Sequence, residues 1–219
     1  MKTDEHFDQL RQQTIRTMHI IQTIKSEMNE HVLQAGLHIV APGILGSMSN
    51  LASVLQEQGQ WQEAAQMHRE VLAVQRRVLG LEHQDTLASM NNLAIVLLEQ
   101  GHCKEAEQMY REVLQVQRRV LGLEHQDTLA SMNNLAIVLR EQGQWQEAEQ
   151  MHREVLEVQR RVLSLEHPHR LKSMNNLANV LREQGQWQEA AQMHREVLAV
   201  QRRVLGLEHQ DTLASMNNL

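Results

Sequence analysis

Leu129 to Arg170 reads LASMNNLAIVLREQGQWQEAEQMHREVLEVQRRVLSLEHPHR, and nearly the same words recur every 42 residues on either side of it. Aligned on the Asn-Leu-Ala triplet, the copies begin at Leu45, Leu87, Leu129 and Leu171, and a fifth starts at Leu213 and reaches Leu219. Self-similarity at a fixed period of this size marks a chain of stacked two-helix units, none of which buries its apolar face alone.

Inside one copy the apolar spacing is helical twice over. Leu87, Met90, Ala94 and Leu97 step by three, four and three and share one stripe of a first helix. Ala106, Met109, Val113, Val116 and Val120 do the same for a second, longer helix. Between them stands Gly101, repeated at Gly59, Gly143 and Gly185, where glycine takes the left-handed turn that ends a helix. Gly80, Gly122 and Gly206 close the second helix in the same way, and Ser164 stands at that place in the third copy. Each copy therefore reads as a helical hairpin, and the fold class as all-α.

The arrangement Asn91-Asn92-Leu93-Ala94, Gly101, Ala106, Tyr110 resembles the tetratricopeptide repeat. The length of 42, the Arg-Arg-Val-Leu-Gly extension and the Glu-His-x-Asp-Thr-Leu link are similar to the kinesin light chain subclass. The resemblance covers Leu45 to Leu219 and implies a right-handed α-solenoid of antiparallel helix hairpins, whose first helices line a concave groove for extended peptides or partner helices. The expected organisation is an N-terminal amphipathic capping helix and linker over residues 1–44, repeats at 45–86, 87–128, 129–170 and 171–212, and the truncated start of a fifth at 213–219.

Composition narrows the function classes. With 42% hydrophobic and 22% charged residues the chain is of ordinary globular type, and aromatics at 2% leave the core to Leu, Val, Ala and Met. A net charge of −6 argues against general nucleic-acid or acidic-membrane binding. Cys103, the single cysteine, excludes an intramolecular disulfide and fits a reducing, cytoplasmic setting. No secretory signal core follows Met1, and the longest apolar run, near Leu37 to Leu45, is far too short to span a bilayer.

Residues 4 to about 35 are a different text. Phe7, Leu10, Met18, Ile21, Ile24, Met28 and Val32 mark a loose helical stripe that Thr14 and Thr17 interrupt. A cap over the first repeat is the expected role, with a coiled-coil dimerisation helix or the remnant of an upstream domain as alternatives. Pro42, like Pro168, falls where the first turn of a repeat's first helix tolerates proline.

The copies differ in informative places. Trp61, Trp145 and Trp187 open their second helices, whereas the second copy has Cys103; Tyr110 replaces the histidine seen at His68, His152 and His194. A small residue for a large one, followed two turns on by the reverse, predicts compensation between Cys103 and Tyr110. Histidines at 83, 125, 167 and 209 recur one per link, and successive copies stand too far apart for them to converge on a metal. Structural or solvent-facing roles are expected, and no cofactor. The pairs Arg76-Arg77, Arg118-Arg119, Arg160-Arg161 and Arg202-Arg203 accompany more numerous acids, so a solvated face with local ion pairs is expected rather than a phosphate ladder. No phosphate loop or nucleophile elbow is present, and the chain reads as non-enzymatic.

What remains is the face of the first helices turned away from their core stripe. Carried over from the resemblance position by position, the groove would hold Asn91, Asn133 and Asn175, then Ile95, Ile137 and Asn179, then Leu98, Arg140 and Arg182. Asparagine offers a donor and an acceptor to an extended backbone, and arginine adds forked recognition of carboxylates, which favours an acidic segment. The asparagines alternatively satisfy backbone groups at the hairpin crossings. Ser49 and Ser53 break the row in the first copy, so binding is expected in copies two to four. The expected function is a protein-interaction scaffold holding a peptide or partner helix; the alternative is a repeat array serving a larger receptor-like protein as sensor or oligomerising spacer. Because Ser215 to Leu219 begin a first helix without a polar capping helix, self-association through that end is also expected.

Overall fold

The computed structural model describes residues 30–217, with side chains from residue 43 onward. These residues form two compact units, divided between Gln100 and Gly101. The first holds α1 (Glu30–Glu57), α2 (Trp61–Val78) and α3 (Gln84–Glu99). The second holds α4 (Cys103–Val120), α5 (Gln126–Glu141), α6 (Trp145–Val162), α7 (Pro168–Glu183), α8 (Trp187–Val204) and the short α9 (Gln210–Met216). Among the described residues there is no strand, and within each unit every helix packs on the next in sequence. This is the expected all-α chain of helix hairpins.

One boundary differs from expectation. α1 runs without a break from Glu30 through Pro42 to Glu57, so the first repeat's first helix does not begin near residue 45. Proline forfeits one backbone donor, but the turn after it is reinforced where the Ser47 hydroxyl donates to the carbonyl of Gly43 at 2.9 Å. Of the expected amphipathic stripe over residues 4 to about 35, the part before residue 30 lies outside the described residues, and Val32 falls within α1.

Helix ends follow from local chemistry. The link histidines are N-caps: Nδ1 of His83, His125 and His209 accepts the backbone N–H two residues on at 3.2 Å, and His167 takes that of His169 at 3.3 Å. Each thereby satisfies one of the orphan donors of a first turn. At the other end, Gly122 adopts φ +86°, a left-handed conformation that disfavours any side chain, and its N–H joins that of Leu121 on the carbonyl of Gln117. The third copy, with Ser164, departs from this rule. There Leu163 leaves the helix extended (φ −124°, ψ 146°), whereas Leu79, Leu121 and Leu205 remain helical.

Packing also corrects the width of the apolar stripes. On α3 the four expected residues are buried, together with Thr86, Ser89, Leu93 and Val96. On α4 the buried face comprises Ala106, Tyr110, Val113, Leu114, Val116 and Gln117, while Met109 is half-buried and Val120 is exposed. A single stripe suits a helix with one neighbour; α5, which packs against α4, α6 and α7, buries a wider arc. The core near the end of the second unit joins Leu156, Leu171, Met174, Leu177, Leu181 and Val197. Each buried leucine is worth about 1.5–3 kcal/mol, so apolar burial dominates the stacking.

Polar contacts repeat at the joints. Arg111 reaches both Glu107 (2.9 Å) and Glu147 (2.8 Å), and Arg153 reaches Glu149 and Glu189 at 2.8 Å. Gln142 donates to the Cys103 carbonyl at 3.2 Å and to Glu107 at 2.8 Å; Gln184 does the same with Trp145 and Glu149 at 3.1 and 2.9 Å. Burial works against ionisation of Glu107, but hydrogen bonds from Gln142 and Arg111 outweigh it and hold the carboxyl below its usual range. These half-exposed pairs contribute roughly 0.2–1 kcal/mol each and set register more than stability. The arginine pairs take part as well: Arg118 with Glu154 (3.4 Å), Arg161 with Glu124 (3.6 Å) and Arg203 with Glu166 (2.6 Å).

Candidate functional site

The first-helix residues expected to line a groove divide between the two units. Asn91, Ile95 and Leu98 on α3 are partly exposed, and they belong to the first unit. In the second unit, Asn133, Ile137 and Arg140 on α5 and Asn175 and Asn179 on α7 are partly exposed, and Arg182 is exposed. One depression gathers Arg140, Asn179 and Arg182 with Glu141, Gly143, Trp145 and Glu183. Both arginines stand in the last turn of their helices, where the negative end of the helix dipole favours a cation. Arg140 is bonded to Glu141, and Arg182 lies 4.0 Å from Glu183. The depression therefore combines two guanidinium groups, two carboxylates, an amide and an indole. Glu141, Glu183 and Trp145 are the residues the sequence reading missed, although each glutamate follows its arginine directly.

The asparagines have internal partners. His152 Nδ1–H donates to Oδ1 of Asn133 at 3.0 Å, and Asn133 Nδ2 donates to the Ser173 hydroxyl at 3.0 Å. His194 and Asn175 repeat the first of these bonds at 3.1 Å. Two first helices and the intervening second helix are thus tied through Asn133, whose partners are side chains rather than the backbone groups of the alternative reading. Burial, and next the charge of Arg140, push the ionisation of His152 down to about 4; burial and then Arg182 lower that of His194. In the first unit Ser49 occupies the asparagine position, and both ring nitrogens of the fully buried His68 lack a partner. Burial lowers the pKa of His68 as well.

The second copy resolves the Cys103 question differently from expectation. An open depression bounded by Gly101, His102, Cys103, Lys104, Glu105 and Gln142 lies where other copies carry tryptophan. Tyr110 does not line it; the ring is buried and hydrogen-bonded to the Asn134 side chain. At the equivalent place Trp187 is 64% and Trp145 36% exposed and Trp61 is half-buried, so the side chain there sits at the edge of the packing and not within the fully buried core. His167 and His169 stack with ring centroids 5.3 Å apart, and His169 Nε2 bonds Gln126 at 3.1 Å. Among the described residues no group of three potential metal ligands assembles, and no helix is long and apolar enough to cross a membrane.

A family model described as tetratricopeptide repeat matches residues 44–119, 105–161, 127–203 and 169–219. Among solved structures, a single-substitution form of a kinesin light chain-like protein with nearly identical TPR-like repeats from Podosopora anserina is 37% identical, with a TM-score of 0.73 over 83% of this chain and 86% of that one. A second structure of that protein gives 37% and 0.70 over 80% and 83%. BtubC (BKLC) from P. vanneervenii, at 20% identity and a TM-score of 0.67 over 76% of this chain and 66% of that one, is similar in fold. No curated protein matches the chain.

Proposed function

The chain belongs to the tetratricopeptide repeat family, in its kinesin light chain-like branch, and from that premise we propose that it is a non-catalytic scaffold holding a partner protein on the first-helix face of the second unit. The observation that carries this reading is the meeting of Arg140 and Arg182, 42 residues apart in sequence, around one depression with Asn179. Neither arginine is buried, so carboxylates of an extended segment have access to each without unfolding the helices, and a guanidinium group binds a carboxylate in a forked geometry. Trp145 supplies the apolar part of the wall. Asn133 contributes by bracing α5 against α7 rather than by offering free hydrogen bonds. The lone cysteine supports a reducing, cytoplasmic setting.

The test is binding of fluorescent, carboxylate-bearing peptides to the whole chain, followed by anisotropy. Arg140→Glu with Arg182→Glu is expected to weaken binding at least tenfold, on the order of two exposed ion pairs lost and two repulsions introduced. Unchanged affinity in this variant, with its helical circular-dichroism signal intact, would remove the depression from the binding surface.

A further inference from the structure

We infer that the depression between α5 and α7 selects a partner segment of alternating charge, a carboxylate with a cation beside it, over a uniformly acidic one. The inference rests on the reading that this depression binds the partner. It follows from the composition of the wall: Arg140, Glu141, Arg182 and Glu183 line the same hollow, and their formal charges sum to zero. Each arginine is already matched by the glutamate next to it in sequence. A ligand carboxylate that takes a guanidinium therefore sets one of these glutamates free, and a second ligand carboxylate meets it as a like charge.

Helix dipoles of both signs meet at the hollow and do not tip the balance toward anions. It lies at the C-terminal turns of α5 and α7, which present partial negative charge, and against Trp145, the first residue of α6, where the dipole presents partial positive charge. His152 behind Arg140 and His194 behind Arg182 are both discouraged from protonating by burial and by those arginines. The glutamate side chains remain accessible, at 46% for Glu141 and 48% for Glu183, so a ligand lysine or arginine reaches them directly. A segment that brings one cation for each anion replaces both internal pairs at once and leaves no wall charge unmatched, which is how complementary charge gives specificity. In α3 the equivalent of Arg140 is Leu98, so the alternating pattern is confined to the third and fourth copies.

The experiment compares three peptides of equal length on the whole chain: alternating glutamate and lysine, glutamate with serine, and lysine with serine. The alternating peptide is expected to bind the unmodified protein roughly threefold to tenfold more tightly than either of the others, the range set by two exposed ion pairs. Glu141→Gln with Glu183→Gln is expected to reverse the order, so that the purely acidic peptide binds best. If the acidic peptide already binds the unmodified protein best, and the glutamine variant leaves the ranking as it was, the inference fails while the binding role of Arg140 and Arg182 stands. If no peptide binds and Arg140→Glu with Arg182→Glu changes nothing, the inference falls together with the site it depends on.

Discussion

Replacing His152 by tyrosine is expected to remove a defined share of the protein's sensitivity to acid. The substitution has a precedent in the chain itself, since Tyr110 fills the same repeat position fully buried. His152 is 1% exposed, and its ionisation is held down from the ordinary 6.5 to about 4, first by burial and then by Arg140. A depressed histidine stabilises the native state above the unfolded value: as pH falls below 6.5 the unfolded chain takes up a proton that the folded chain refuses until about 4. The loss thus accumulates across that window, and at about 1.4 kcal/mol per pH unit it amounts to about 3 kcal/mol for the unmodified protein.

Tyrosine does not titrate there. At neutral pH the exchange forfeits the bond to Asn133 and offers a hydroxyl to Asn176, whose side-chain nitrogen is buried without a partner, so the net change is expected within about 1 kcal/mol. Urea unfolding followed by circular dichroism, at about pH 7 and again at about pH 4, measures both limits. The difference between variant and parent is expected to grow by about 3 kcal/mol in favour of the variant on acidification. His68, His194 and the carboxylates titrate in both proteins and cancel in that difference. Equal loss of stability in the two would refute the claim that burial keeps His152 uncharged.

Ser49→Asn gives the buried His68 ring the acceptor its counterparts possess, and a rise in unfolding free energy of about 1 kcal/mol is expected from denaturant midpoints at unchanged slope. Cys103→Trp and Tyr110→His are expected to be additive within about 0.5 kcal/mol in a double-mutant cycle, because the tyrosine does not line the hollow left at Cys103; a larger coupling would restore the idea that the two compensate.

Much of the fold was legible because a repeat presents the same physical problem several times. The step from Leu87 to Leu97 identified buried residues of α3, and the complementary face, from Asn91 to Leu98, is the one left partly open. Glycine spacing marked the turns for the same reason, since few other residues accept φ near +80°, as at Gly101 (78°) and Gly122 (86°). Less visible were features that depend on a third helix. The partners of Asn133 lie 19 and 40 residues away, on α6 and α7, and a single-helix period contains no trace of them. The histidine N-caps were missed because imidazole is an unusual capping group, though its place immediately before Gln-Asp-Thr was a signal. The continuity of α1 was hidden by Pro42, which normally argues for a boundary.

The joint made by Arg111 with Glu147, and again by Arg153 with Glu189, is blind to which copies it connects. Each second helix from α4 to α8 carries the glutamate that receives and the arginine that gives. A whole 42-residue block is thereby a part that fits between any two of its kind, and an in-frame duplication or excision rejoins arginine to glutamate with no new chemistry. The same joint thus serves copies that differ elsewhere, as Leu98, Arg140 and Arg182 do at one repeat position.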